Sequence, residues 1–206
     1  MAAAASSSSD DEDWMPFPAH EDGDPRSLAP FETTPLLRVE ESVAMASITE
    51  ADVVCDLGCG NARLLLHLHS LTGARCVGYE INPEQIEAAR AAIAAAGAGG
   101  SVSIVDCDLR EADLSPFTVI FTWLQPWAVP QLQDAFRAAI LERDVRMLSY
   151  MWQYEPLTKG GLISVEVGAS KQVFCYRRVG TAQAAPEAGD GRTGATTAAS
   201  AGPGST

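Results

Sequence analysis

Residues 53–66 read VVCDLGCGNARLLL. An apolar run ends at Asp56, then Gly58 and Gly60 flank Cys59, and a second apolar run begins at once. This is the pattern of a strand that runs into a tight loop and then directly into a helix. A backbone that turns this closely, next to the free N–H groups of a helix start, suits a small anionic group such as a pyrophosphate or the carboxylate of an amino acid. Three side chains separate those options. Asp56 would repel a pyrophosphate, but it can hold an ammonium group, directly or through water. Arg63 stands where the dinucleotide pattern G-x-G-x-x-G needs a small residue for helix–strand packing. Glu80 closes the next apolar run and is placed to accept hydrogen bonds from both hydroxyls of a ribose. Ammonium, carboxylate and ribose in one molecule describe S-adenosylmethionine.

These side chains need a scaffold, and the periodicity of the chain supplies one. Pro35 opens a helical stripe over residues 36–48, with apolar Leu36, Val39, Val43 and Ala46. Strands are expected over 51–57, 74–80, 101–107, 117–124 and 145–152. Helices are expected over 62–71, with Asn61 as cap, over 84–96 after Asn82 and Pro83, and over 129–141. The last two runs, 161–167 and 171–177, are separated by Gly168-Ala169-Ser170 and read as a hairpin. Strands alternating with helices imply a Rossmann-like, doubly wound α/β fold. Its mostly parallel sheet lies between two helical layers (three-layer α/β/α), with the antiparallel C-terminal hairpin at one edge. In such a sheet a ligand binds beyond the carboxyl ends of the strands, where the strand order reverses. The first loop belongs there.

The chain has 206 residues, enough for one domain with a full core. Residues 1–30 are expected to be a disordered acidic tail, since residues 1–25 hold seven acids and no Lys or Arg. Residues 181–206, almost wholly Ala, Gly, Thr, Ser and Pro, are expected to be a second disordered tail, which leaves 31–180 as the folded domain. The net charge is −13, of which −5 falls on residues 26–180. No basic block occurs, which argues against sequence-independent binding to nucleic acid. The apolar runs are strand-length, so no membrane span is expected. The five cysteines include no C-x-x-C pair, and His67 and His69 are two apart on one helix, so no metal site is expected. Free thiols and the absence of a signal peptide suggest the cytosol or nucleus, and a monomer is the default.

The run DLGCG after the first strand, with an acid ending the second strand and VDCDL ending the third, resembles the class I S-adenosylmethionine-dependent methyltransferases. The resemblance implies that Asp56, Gly58, Cys59 and Gly60 hold the methionine end of the cofactor. It implies that Glu80, beside Ile81, holds the ribose and that Asp108 and Leu109 contact the adenine. One departure is Ala62, where that family usually has glycine. Over about residues 30–180, PFETTPLLRVEESVAMASI, VGYEINPEQIEAAR and TWLQPWAVPQL are similar to the short protein-lysine methyltransferases that act on the ATP synthase c subunit and the ADP/ATP carrier. That similarity implies a protein substrate carrying an acceptor lysine, and a segment from Phe31 to Pro35 folded over the cofactor. It also implies an acceptor channel near Trp123, Gln125, Pro126 and Trp127, with Trp152 and Tyr154 on its rim. The mitochondrial members carry an apolar segment before the domain, where this chain has acids. No general base is legible, and Glu155 stands as a candidate. Two alternatives are a small-molecule methyltransferase and a cofactor-binding scaffold of the same fold without catalysis.

Overall fold

The computed structural model describes residues 26–28 and 31–180. Among the described residues the α-helices and strands follow in the order α1 (Leu36–Ala46), β1 (Val53–Leu57), α2 (Arg63–Thr72), β2 (Arg75–Glu80), α3 (Pro83–Ala95), β3 (Val102–Asp106), β4 (Val119–Thr122), α4 (Gln133–Arg143), β5 (Arg146–Tyr150), α5 (Glu155–Thr158), β6 (Ile163–Val167) and β7 (Val173–Arg178). The strands form one seven-stranded sheet in the order β3-β2-β1-β4-β5-β7-β6. The first five are parallel, while β7 pairs antiparallel with both β5 and β6. The order reverses between β1 and β4, which is where a doubly wound sheet opens a crevice.

Each element has a local cause. Asn82 caps α3 by accepting from Glu84 N (2.9 Å) and Gln85 N (3.3 Å), and Pro83 fills the first turn, where no N–H is needed. The start of α2 differs from expectation. Ala62, with φ 63° in the left-handed region, takes the cap position, and Asn61 Oδ1 accepts only a long bond of 3.3 Å from Arg63 N. The expected helix at 129–141 is split: a 3₁₀ turn at Val129–Gln131 precedes α4. Pro130 is tolerated in that first turn but not inside an α-helix.

The sheet is covered on both sides. Val39, Leu65, Leu68 and Phe121 belong to one apolar cluster, and Ile120, Phe136, Ile140 and Leu157 to the other. A fully buried side chain of this size stabilises by roughly 1.5–3 kcal/mol, so the two clusters supply the main driving force. Ser27 and Leu28 are buried, and Leu28 joins the second cluster. Both precede residue 31, where the folded domain is expected to begin. The rest of the two expected tails, residues 1–25, 29–30 and 181–206, lies outside the described residues. No helix among the described residues is long and apolar enough to cross a membrane.

Candidate active site

Register brings the candidate residues together. Leu57 is level with Tyr79 on β2 and with Thr122 on β4, so Asp56, Glu80 and Trp123 gather at one end of three adjacent strands. A cavity partly open to solvent lies there. Its wall includes Asp56, Gly58, Cys59, Glu80, Ile81, Leu109 and Trp123.

The glycine loop is shaped by its backbone. Gly58 N and Cys59 N both donate to Tyr79 O, at 2.9 and 3.0 Å, which folds the loop back over β2. Gly58 has φ 83°, and a Cβ there would project into open space, so this stretch of backbone is bare toward the cavity. Gly60 lies behind the wall rather than in it. A Cβ on Gly60 would come 2.3 Å from Phe31 Cε2, because the aromatic ring is seated directly on this glycine. Phe31, Glu32, Thr33 and Thr34 all line the cavity, so the segment before α1 forms a strap across it.

The two acids differ sharply in their surroundings. Glu80 is held by three backbone amides: Gly60 N donates to Oε2 (2.9 Å), while Ile81 N (2.9 Å) and Asn82 N (3.0 Å) donate to Oε1. It thereby ties the glycine loop to the end of β2 and is oriented before any ligand arrives. Asp56 is buried, and no described residue donates a hydrogen bond to it. Burial, and secondarily the neighbouring Glu80 charge, pushes its carboxyl up to about 8. A buried acid with no partner, aimed into a cavity, is suited to a cationic ligand group. Together with the bare backbone at Gly58 and the pre-set Glu80, it fits the ammonium, carboxylate and ribose of S-adenosylmethionine.

Other expected residues are placed differently. Asp108 is not in the cavity wall. Its carboxylate accepts from the Arg110 guanidinium (2.9 and 2.6 Å) and from Arg110 N (3.0 Å), and those bonds hold it below the usual carboxylate range. It caps the 3₁₀ turn that presents Leu109, which does line the cavity. Gln125, Pro126 and Trp127 also lie outside the wall, and Leu124 takes their place beside Trp123. Trp123 packs edge-on against Tyr150 at 4.6 Å. Tyr154, expected on the rim, is buried, and Glu155 begins α5 away from the cavity wall. Several lining residues escape the sequence reading: Arg26, Ser27, Leu28, Asn61, Asn82 and Gln85. The one signal for the first three is Leu28, an apolar residue after the acidic run has ended at Asp24.

Residues 56–159 match the model of the ANTKMT methyltransferase domain. A protein-lysine N-methyltransferase of Saccharolobus islandicus (strain REY15A) is 30% identical over 149 residues, 71% of this chain and 92% of that protein. The chain belongs to the ANTKMT methyltransferase family. It is accordingly an S-adenosylmethionine-dependent methyltransferase. An RNA methyltransferase from Salinibacter ruber, solved with S-adenosyl-L-homocysteine, is similar to this ANTKMT-family chain at 26% identity and a TM-score of 0.62. That similarity covers 76% of this chain and 97% of the Salinibacter one. The tRNA (m1A58) methyltransferase TrmI from Aquifex aeolicus, at 13% identity and a TM-score of 0.56 over 74% of this chain and 72% of its own, shares the fold.

Proposed function

We propose that this methyltransferase modifies lysine side chains of a protein and that the cavity above β1, β2 and β4 holds its cofactor. The observation that carries the reading is the pair Asp56 and Glu80: two acids in one cavity, the first buried and unpartnered, the second oriented by three amides. In this reading Asp56 takes the methionine ammonium, and the loop backbone at Gly58 and Cys59 takes the carboxylate. Glu80 takes the ribose hydroxyls, while Ile81 and Leu109 flank the adenine. Asp108 acts one step back, by setting the turn that carries Leu109.

When bound, S-adenosylmethionine supplies a methyl group on a sulfonium that is already activated for in-line displacement, so the protein contributes orientation and a dry site. Phe31, Trp123 and Leu124 supply the dry wall, and Glu32 puts an acid in the cavity lining, favourable to an approaching cation. A lysine must attack as the neutral amine, and transfer into an apolar channel lowers its pKa. The lysine assignment is supported by the Saccharolobus relative. A protein rather than nucleic acid is supported by the net charge of −13 and the absence of a basic run. Five free thiols support a reducing compartment, and the cytosol is the one we propose, with a monomer as the working form.

The test is incubation of the purified chain with tritiated S-adenosylmethionine and fractionated cell extract. Label in protein, recovered as methyl-lysine after hydrolysis, is the expected result. Label confined to RNA or to small metabolites would overturn the lysine assignment. Absence of cofactor binding at millimolar concentration would overturn the cavity assignment as well.

A further inference from the structure

Tyr154 lies outside the cavity wall, yet it holds one of the residues that form it. Its hydroxyl accepts from Leu124 N (3.1 Å) and donates to Leu124 O (2.9 Å), so one phenol satisfies both backbone groups of one residue thirty positions away. Leu124 is buried, lies just past the end of β4, and lines the cavity next to Trp123. Its N–H and C=O have left the sheet ladder, and buried backbone groups of this kind require partners. Tyr154 provides both.

Tyr154 is itself anchored. Its backbone N–H donates to Tyr176 Oη (2.5 Å), and the two rings stack at 6.2 Å with 13° between planes. Ser149 Oγ donates to Trp152 O at 2.6 Å, which leaves it to accept from the Tyr176 hydroxyl at 3.4 Å. Every donor in this chain therefore has one acceptor, and the chain links β7, β5, the segment after β5 and the loop after β4. Burial drives the Tyr154 phenol far above its ordinary range, so it keeps the proton that it donates across the working pH range.

We propose that Tyr154 is a positioning residue that sets the loop after β4, and with it Trp123 and Leu124, against the cofactor cavity. The inference rests on the reading of that cavity as the cofactor and acceptor site. Removing the hydroxyl strands two buried backbone groups, which can be satisfied again only if the loop moves toward water. Tyr176→Phe is the control: it removes the acceptor for Tyr154 N–H but leaves the clamp on Leu124 intact.

The experiment uses the full chain and has two readouts. In the unmodified protein, residue-resolved amide exchange should put Leu124 N–H in the slow class with the sheet amides, although it lies in a loop. Exchange within seconds would overturn the clamp even if no variant folds. Calorimetry with S-adenosyl-L-homocysteine then compares the variants. Both substitutions should lower the melting temperature, but only Tyr154→Phe should weaken binding by threefold or more. A smaller change in Tyr154→Phe, or an equal loss in Tyr176→Phe, would overturn the positioning role. If the unmodified protein binds no S-adenosyl-L-homocysteine, the cofactor reading falls, and the exchange result alone decides the clamp.

Discussion

Glu80 shows how one side chain can serve both fold and site. Three amides from two segments converge on its carboxylate. Replacement by alanine removes the proposed ribose contact and leaves those amides without an acceptor. Each hydrogen bond to a charged group is typically worth about 1.5–3 kcal/mol. Glu80→Ala should therefore weaken S-adenosyl-L-homocysteine binding roughly tenfold or more by calorimetry, with Glu80→Gln intermediate. An unchanged dissociation constant in both would remove Glu80 from the site. Ala62 marks the other residue-scale departure. At φ 63° it occupies a conformation that glycine adopts freely and that costs an L-residue about 1–2 kcal/mol. Its methyl group is fully buried, and that burial offsets part of the strain.

At the scale of elements, the strap and the glycine loop form a single unit, because the Phe31 ring occupies the space that any side chain on Gly60 would need. Gly60→Ala must push the ring away, and its φ of 51° adds strain of its own. Phe31→Ala removes the ring while leaving the loop alone. Each single substitution should weaken S-adenosyl-L-homocysteine binding several-fold. The double variant should lose less than the sum of the two free energies, since both disturb one contact. Full additivity would mean that the strap acts on the ligand independently of the loop.

Across the whole molecule, two acids near opposite ends of β1 titrate with opposite consequences. Burial raises Asp52, but hydrogen bonds from Thr49 and Thr118 and the Arg146 charge outweigh it and hold the carboxyl below its ordinary value. Arg146 also donates to Ala46 O (2.6 Å), so this ion pair ties β5 to the end of α1. Its stabilisation is present above about pH 4, where unfolded aspartate is ionised, and is lost as pH falls further. Asp56 behaves in the reverse way. Folded, it keeps its proton up to about pH 8, whereas the unfolded chain releases it near 4. The unfolded state thus binds fewer protons in that window, and stability falls as pH rises through it. Thermal melts of the unliganded protein should show the melting temperature declining between pH 5.5 and 8. Asp56→Asn should flatten the slope, and saturating S-adenosyl-L-homocysteine should do the same by pairing the ionised carboxylate. An equal slope in the variant would refute the buried, protonated Asp56.

The alternation of apolar runs and cap signals determined the parallel core of the sheet, and the acids at two strand ends determined the cofactor class. Those are local facts, readable because Pro83 fixes its own backbone after the Asn82 cap, and because Gly58-x-Gly60 allows a turn that residues with side chains resist. Tertiary packing decided the rest. It placed β7 between β5 and β6, since hairpin chemistry says that two strands pair but not which one faces the sheet. It turned Asp108 onto Arg110 and left Leu109, of the expected pair, in the cavity wall. It also packed Ser27 and Leu28 against the cavity and buried Tyr154 behind it. Side-chain direction and contacts between distant segments are set by how all the faces fill together, and no window of sequence contains that information.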